Sequence, residues 1–170
     1  MKIVNIVATV SLPNPIDLKT LHNNLKGSNF RPKVHWLQYR LPPDNTYVAF
    51  YGSGKFLMTV KSMDKLQPYS QKVLKILKDC GINVSESKMV IHNLVISHTI
   101  ELTASLEKLI FSLDSKKFSY EPEQFPALNY KDWGVSFLLF SSGKVIITGA
   151  KNEKQAQDAM IQFQELINNG

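Results

Sequence analysis

From Lys2 to Ser11 apolar and polar side chains alternate with a period of two, so Asn5, Val7 and Thr9 share one face of a strand and Ile6, Ala8 and Val10 the other. The period then lengthens. Leu18, Leu21 and Leu25 fall at helical spacing behind Asp17, whose carboxylate suits a helix start. Period two returns over Leu37–Leu41, Thr46–Tyr51 and Lys55–Val60, with turns signalled by Pro42-Pro43-Asp44-Asn45 and Gly52-Ser53-Gly54. A longer helical run, about Tyr69–Cys80, closes the series. The pattern predicts strand, helix, four strands and helix.

The series then recurs. Asn5-Ile-Val-Ala-Thr9 returns as Asn93-Leu-Val-Ile-Ser97, Ser53-Gly-Lys55 as Ser142-Gly-Lys144 and Pro32-Lys33 as Pro122-Glu123, at offsets of 88, 89 and 90 residues. The second copy places a helix on Leu102, Leu106 and Leu109, strands at Leu128–Lys131, Val135–Phe140 and Lys144–Gly149, and a turn at Ser141-Ser142-Gly143. Its last helix, Glu153–Asn168, carries Ala156, Met160, Phe163 and Ile167 at helical spacing. The fold class is α+β, pseudo-twofold, with repeats at 1–84 and 85–170. A sheet-rich unit of this size cannot cover its own apolar face, whereas two copies can share one sheet. The junction Gly81–Lys88 is short and polar rather than Gly/Ser-rich, which predicts rigid docking and not a flexible tether.

Carried through every strand, the parity puts Asn5, Val7, Thr9, Ala49, Tyr51, Leu57 and Thr59 on the face away from the first-half helices. Asn93, Val95, Ser97, Leu138, Phe140, Ile146 and Thr148 take the same face of the second half. A solvated sheet face would carry Lys and Glu there, so an apolar one marks a binding surface. Arg40, Lys55, Lys131 and Lys144 lie on the same strands, and Lys33, Lys61 and Lys151 just beyond them. An apolar floor with a basic rim suits the minor groove of A·T-rich duplex. Its walls are phosphates, and its floor offers the adenine N3 and thymine O2 acceptors, to which an asparagine amide can donate.

Composition narrows the choice. An apolar fraction of 44% supports a real core, and a net charge of +6 favours a polyanionic partner. A single cysteine, Cys80, excludes a disulfide framework and a Cys-pair zinc site, and fits a reducing compartment. The chain opens directly on a strand, with no signal-peptide segment and no run of eighteen apolar residues, so a soluble intracellular protein without membrane contact is expected. Gly52-Ser-Gly-Lys55 lacks the spacing and following hydroxyl of a phosphate loop. His22, His35, His92 and His98 show no ligand spacing, and no nucleophile stands with a base. No catalytic residue, metal or cofactor is expected.

Four strings carry a family resemblance: Asn5-Ile-Val-Ala-Thr-Val10, Asp17-Leu-Lys-Thr20, Tyr120-Glu-Pro-Glu-Gln-Phe-Pro126 and Leu139-Phe-Ser-Ser-Gly-Lys-Val-Ile-Ile-Thr-Gly-Ala-Lys151. They closely resemble the TATA-box-binding protein core, over essentially the whole chain and most strongly in its second half. The resemblance implies a saddle of ten antiparallel strands with four helices on its convex face. It implies seating in the minor groove of TATA-like double-stranded DNA, bending of that DNA, and recruitment of transcription factor IIB and RNA polymerase. Carried over by position, Asn5 and Asn93 would hydrogen-bond base edges at the centre of the site, beside Val7, Val95, Thr59 and Thr148. Phe125 and Phe140 would be wedges entering base steps, as minor-groove architectural proteins do. Tyr51, Leu57, Leu138 and Ile146 complete the floor, and the basic residues above the rim. Glu121 and Glu123 would meet transcription factor IIB, although by default they are solvent-exposed acids. The implied compartment is the nucleus, or the cytoplasm for an archaeal or cytoplasmic viral source.

The first half departs from that pattern. Tyr51 stands where a phenylalanine wedge is expected, Pro32-Lys33-Val34-His35-Trp36 is one residue shorter than its second-half counterpart, and Thr59-Val60-Lys61 replaces Thr148-Gly-Ala-Lys151. His35 and Trp36 both fall near the missing phenylalanine. A phenol pushed between bases needs a partner or loses hydration, so asymmetric kinking, strong at the second-half end, is expected. Blander readings stand beside these: Trp36, Tyr51 and Phe56 as ordinary packing, the asparagines as strand-end caps, the rim as a solvated edge. Two other functions also remain open, a divergent paralogue acting as a protein-interaction module with weak promoter binding, and an accessory domain of an enzyme.

Overall fold

Ten strands and four α-helices follow the predicted order in a computed structural model that describes residues 1–170. The strands pair antiparallel throughout. By packing, the chain divides into Asn5–His92 and Asn93–Gly170, with Met1–Val4 counted in the latter.

In the first unit β1 (Lys2–Ser11) pairs antiparallel with β5 (Lys55–Val60), β5 with β4 (Thr46–Tyr51), β4 with β3 (Trp36–Leu41) and β3 with β2 (Asn29–Arg31). Helix α1 (Leu18–Asn24) starts where Asp17 accepts from the Lys19 and Thr20 amides, as the sequence signals. Helix α2 spans Met63–Asp79, six residues longer at its start than the periodicity around Tyr69 suggests. Pro68 lies inside it, where it removes the bond to the Asp64 carbonyl and its ring crowds that oxygen. A continuous buried stripe, Leu66, Ser70, Val73, Leu74 and Leu77, outweighs that loss.

The second unit repeats the plan with β6 (Lys88–Thr99), β10 (Lys144–Ala150), β9 (Val135–Phe140), β8 (Ala127–Asp132) and β7 (Phe118–Ser119), again antiparallel throughout. Helix α3 is shorter than expected, Leu106–Leu109 behind the Ser105 cap, and runs on as a 3-10 turn over Ile110–Ser112; Leu102 lies ahead of it. Helix α4 (Glu153–Asn169) is capped by Asn152, whose side chain accepts from the Gln155 amide. None of the helices is long and apolar enough to cross a membrane.

The Ser-Gly-Lys turns have a structural reason in both units. Gly54 (φ +100°) and Gly143 (φ +87°) pass so close to the Asn14 and Ile100 carbonyls that a Cβ would sit 2.4 and 2.1 Å from those oxygens. Their own carbonyls accept from Leu12 (2.7 Å) and Ile100 (2.8 Å). Glycine is needed for the turn, and no phosphate chemistry follows from it.

Candidate nucleic-acid interface

Strand burial sorts the two faces as the parity demands. In β1, Ile6, Ala8 and Val10 are buried while Asn5, Val7 and Thr9 are half-buried; in β5 the buried residues are Phe56, Met58 and Val60, and Leu57 and Thr59 are half-buried. Register brings the half-buried set together, Val7 opposite Thr59, Thr9 opposite Leu57, and Leu57 opposite Ala49. Ala49 differs from expectation: it is 1% exposed, a methyl closed over by its longer neighbours. In the second unit Ile146 lies between Ser97 and Leu138, and Thr148 opposite Ser136, with Asn93, Val95, Leu138, Phe140, Ile146 and Thr148 all half-buried.

The same register adds residues that sequence reasoning missed. Gln38 is the β3 partner of Ala49, and Asn129 the β8 partner of Leu138, so each open face carries a second amide. Asn129 Oδ1 is buried without a partner in the chain. Tyr47, opposite Arg40, belongs to the same face, and the Arg40 guanidinium lies over its ring at 5.1 Å. The signal was available in the parity of β3 and β8, whose central residues read as ordinary strand.

The rim cations Arg40, Lys55, Lys131, Lys144 and Lys151 are exposed. The chain's ion pairs are instead Lys65–Asp44, Lys117–Asp132 and Lys154–Asp158, which leaves the rim charges available to an external anion. Asp44 and Asp132 are held below the ordinary carboxylate range, Asp44 by hydrogen bonds from Tyr69 and then Lys65, Asp132 mainly by Lys117. Lys151 lies past the end of β10, its backbone amide bonded to Gln155 Oε1 at 2.9 Å. Glu121 and Glu123 are exposed in the turn before β8, with Phe125 49% exposed beside them.

Phe125 and Phe140 form an edge-to-face pair, centroids 6.1 Å apart at 66°. The first unit builds a matching pair from Trp36 and Tyr51, 6.4 Å apart at 78°. This separates the two aromatic candidates at that end. His35 caps the Pro32–Val34 3-10 turn in the left-handed region (φ +57°), exposed, and it is Trp36 that meets Tyr51. Trp36 reaches that place from a different backbone position: it is the register partner of Tyr51, as Ala127 is of Phe140. The Trp36 indole N–H has no partner in the chain.

The two asparagines are held differently. Asn93 Oδ1 accepts from the Gly149 backbone N–H at 2.6 Å. That amide is available because β10 carries a bulge, with Ile147 opposite Ile96 but Ala150 opposite Leu94, and Gly149 in the bulge has φ +95°. In the first unit Ala8 pairs with Met58 and Ile6 with Val60 without interruption. Val60 therefore answers to Ala150, and Gly149 has no counterpart.

Comparison with known proteins gives one consistent result. The family model described as transcription factor TFIID (or TATA-binding protein, TBP) matches residues 1–80 and 88–169. A TATA-box-binding protein of Aeropyrum pernix is 39% identical over 94% of this chain and 80% of its own length. One from Sulfurisphaera tokodaii is 36% identical over 98% of this chain and 86% of its own. The solved structure of Methanococcus jannaschii TBP superposes with a TM-score of 0.89 at 33% identity, covering 99% of this chain and 98% of that one.

Proposed function

The chain belongs to the transcription factor TFIID (TATA-binding protein) family, and from that membership we propose that it is a general transcription initiation factor. It binds TATA-like duplex DNA through the minor groove, bends it, and presents the bound promoter to a transcription factor IIB-like protein and RNA polymerase. It acts where promoter DNA lies, the nucleus or, in a cell without one, the cytoplasm. Repeats 1–84 and 85–170 act as one binding unit.

The observation that carries this reading is the half-buried apolar face present in each unit, Val7, Leu57 and Thr59 in one and Val95, Leu138, Ile146 and Thr148 in the other, bordered by unpaired cations. The floor excludes water from the groove, and Asn5 and Asn93 supply amide donors for adenine N3 and thymine O2. Arg40, Lys55, Lys131, Lys144 and Lys151 neutralise phosphates. Phe125 with Phe140, and Trp36 with Tyr51, are the aromatic pairs placed to open base steps. Glu121 and Glu123, next to the Phe125 wedge, offer an acidic surface to the IIB-like partner.

A gel shift with a TATA duplex against a scrambled duplex of equal composition tests the reading. Preference for TATA of at least tenfold is expected, and equal binding overturns it. For the acidic turn, charge reversal at Glu121 and Glu123 should leave the binary complex intact and abolish the ternary one; an undiminished ternary complex discards that partner site.

A further inference from the structure

An asparagine amide has one acceptor end and one donor end, and which of them faces a ligand depends on what the rest of the protein does with the other. At Asn93 the choice is made by the fold. Gly149 N–H is a donor and nothing else, so the atom 2.6 Å from it is the amide oxygen, and the NH2 group is the end left free. Adenine N3 and thymine O2 are acceptors, whereas a G·C pair adds the guanine N2 amino donor to the minor groove. A fixed NH2 group therefore accepts A·T and T·A alike and opposes G·C.

Asn5 lies under no such constraint. The bulge residue that would supply the backbone donor is missing between Thr59 and Val60, and the pairing runs straight through from Met58 to Val60. Asn5 instead lines a cavity of about 300 Å3 with Arg40, Asn45, Thr59 and Lys61, which leaves its amide room to turn. Turned one way it donates to an A·T pair, and turned the other it accepts from guanine N2.

We propose that the Gly149 bulge makes Asn93 a strict reader of A·T, and that its absence lets Asn5 accept a G·C pair, so that the protein tolerates one G·C pair near the centre of its site on the first-repeat side only. This rests on the minor-groove reading above and names the residue difference that sets its sequence preference.

The test uses the full chain and three duplexes: an A·T-only core, the same core with one G·C pair on one side of the centre, and the same core with G·C at both symmetry-related positions. With one G·C pair the protein can orient Asn5 over it, so affinity should fall less than about threefold. With two, Asn93 must meet one of them, and affinity should fall at least tenfold. Replacing guanine by inosine, which lacks the N2 amino group, should restore binding. Inserting a glycine between Thr59 and Val60 should remove the tolerance, so that one G·C pair alone costs tenfold. Should that insertion misfold, Asn5→Ala, which removes the acceptor, should raise the single-pair penalty to the same level. Binding to the A·T core with equal penalties for the first and second G·C pair overturns the inference and leaves the minor-groove reading standing. Failure to bind the A·T core overturns both.

Discussion

Residues 5–92 and 93–170 build the same five-stranded sheet, yet fill and equip it differently. In the second unit Phe137 of β9 and Phe163 of α4 stack at 4.2 Å and 9°, with Tyr130 5.6 Å from Phe163, and both phenylalanines are fully buried. The first unit has Val48 and Val73 at the equivalent places and puts its bulk in the sheet instead, in Phe50, two residues along β4 from Val48, and Phe56 of β5, 6.0 Å apart. Aromatic volume thus sits in helix and sheet in one unit and in the sheet alone in the other, and pattern is retained where identity is not. The same holds for the outer face, where Trp36 and Tyr51 replace the phenylalanine pair. Charge divides as well. Residues 1–84 have twelve Lys and Arg against four Asp, residues 85–170 eight against ten Asp and Glu, a net +8 and −2. On the proposed reading the first repeat is the one that attracts DNA, and the second, with Glu121 and Glu123, the one that offers acid to a basic partner surface.

The largest effect should come from the stacked core. Phe163→Ala is expected to cost about 3–5 kcal/mol, because it removes transfer energy and leaves a cavity between rigid strands. Val73→Ala at the matching place should cost about 2 kcal/mol, two methyl groups with a smaller void. Urea denaturation of the full chain measures both, and equal losses would show that the aromatic layer carries no special weight.

Next come the proposed wedges. The Phe125→Ala, Phe140→Ala pair should lower affinity for a TATA duplex about 100-fold, or about 2.7 kcal/mol, and reduce the bend seen by fluorescence energy transfer across the duplex. The Trp36→Ala, Tyr51→Ala pair should cost about tenfold, since the Tyr51 phenol must be desolvated to enter a step. Equal bends lost from both ends would remove the proposed asymmetry.

Most of the fold was legible because period two and period 3.6 alternate cleanly, and the internal repeat checks each boundary against its twin. Three strands match expectation to the residue, Thr46–Tyr51, Lys55–Val60 and Val135–Phe140. The start of α2 was hidden by Pro68, a local signal overridden by a buried stripe. Although Ala49 proves buried and Gln38, Tyr47 and Asn129 were missed, most of the floor residues followed from parity. The partner of Tyr51 did not, because a one-residue deletion leaves sequence position ambiguous between His35 and Trp36, and only strand register decides. The Asn93–Gly149 bond lay out of reach for a different reason: it depends on a bulge, and a missing glycine in one repeat looks like ordinary divergence until the ladder is drawn.

A smaller effect concerns the rim. Arg40→Ala or Lys55→Ala in the first unit, and Lys131→Ala or Lys144→Ala in the second, should each reduce the slope of log affinity against log salt by about 0.9. The four should act alike if each meets one phosphate, despite the opposite net charge of their repeats. A slope unchanged by either second-unit lysine would confine phosphate contact to the first repeat.

The smallest effect separates two hairpin braces. Asp44, at the β3–β4 turn, accepts from Tyr69 and Lys65 of α2, and Asp132, at the β8–β9 turn, accepts from Lys117. Both carboxyls titrate below their ordinary value near 4 in the folded chain, so each contributes stability that is present above that value and lost as pH falls through the lower folded one. Exposure keeps both contributions small, the Asp132 side chain at 23% and the Asp44 side chain at 40%. Asp132→Asn should therefore flatten the loss of stability below about pH 4 more than Asp44→Asn does, read from urea midpoints in acid. Were Asp44→Asn to flatten it more, the Tyr69 hydroxyl rather than burial would set the strength of the brace, and the α2 start that periodicity missed would owe its position partly to that bond.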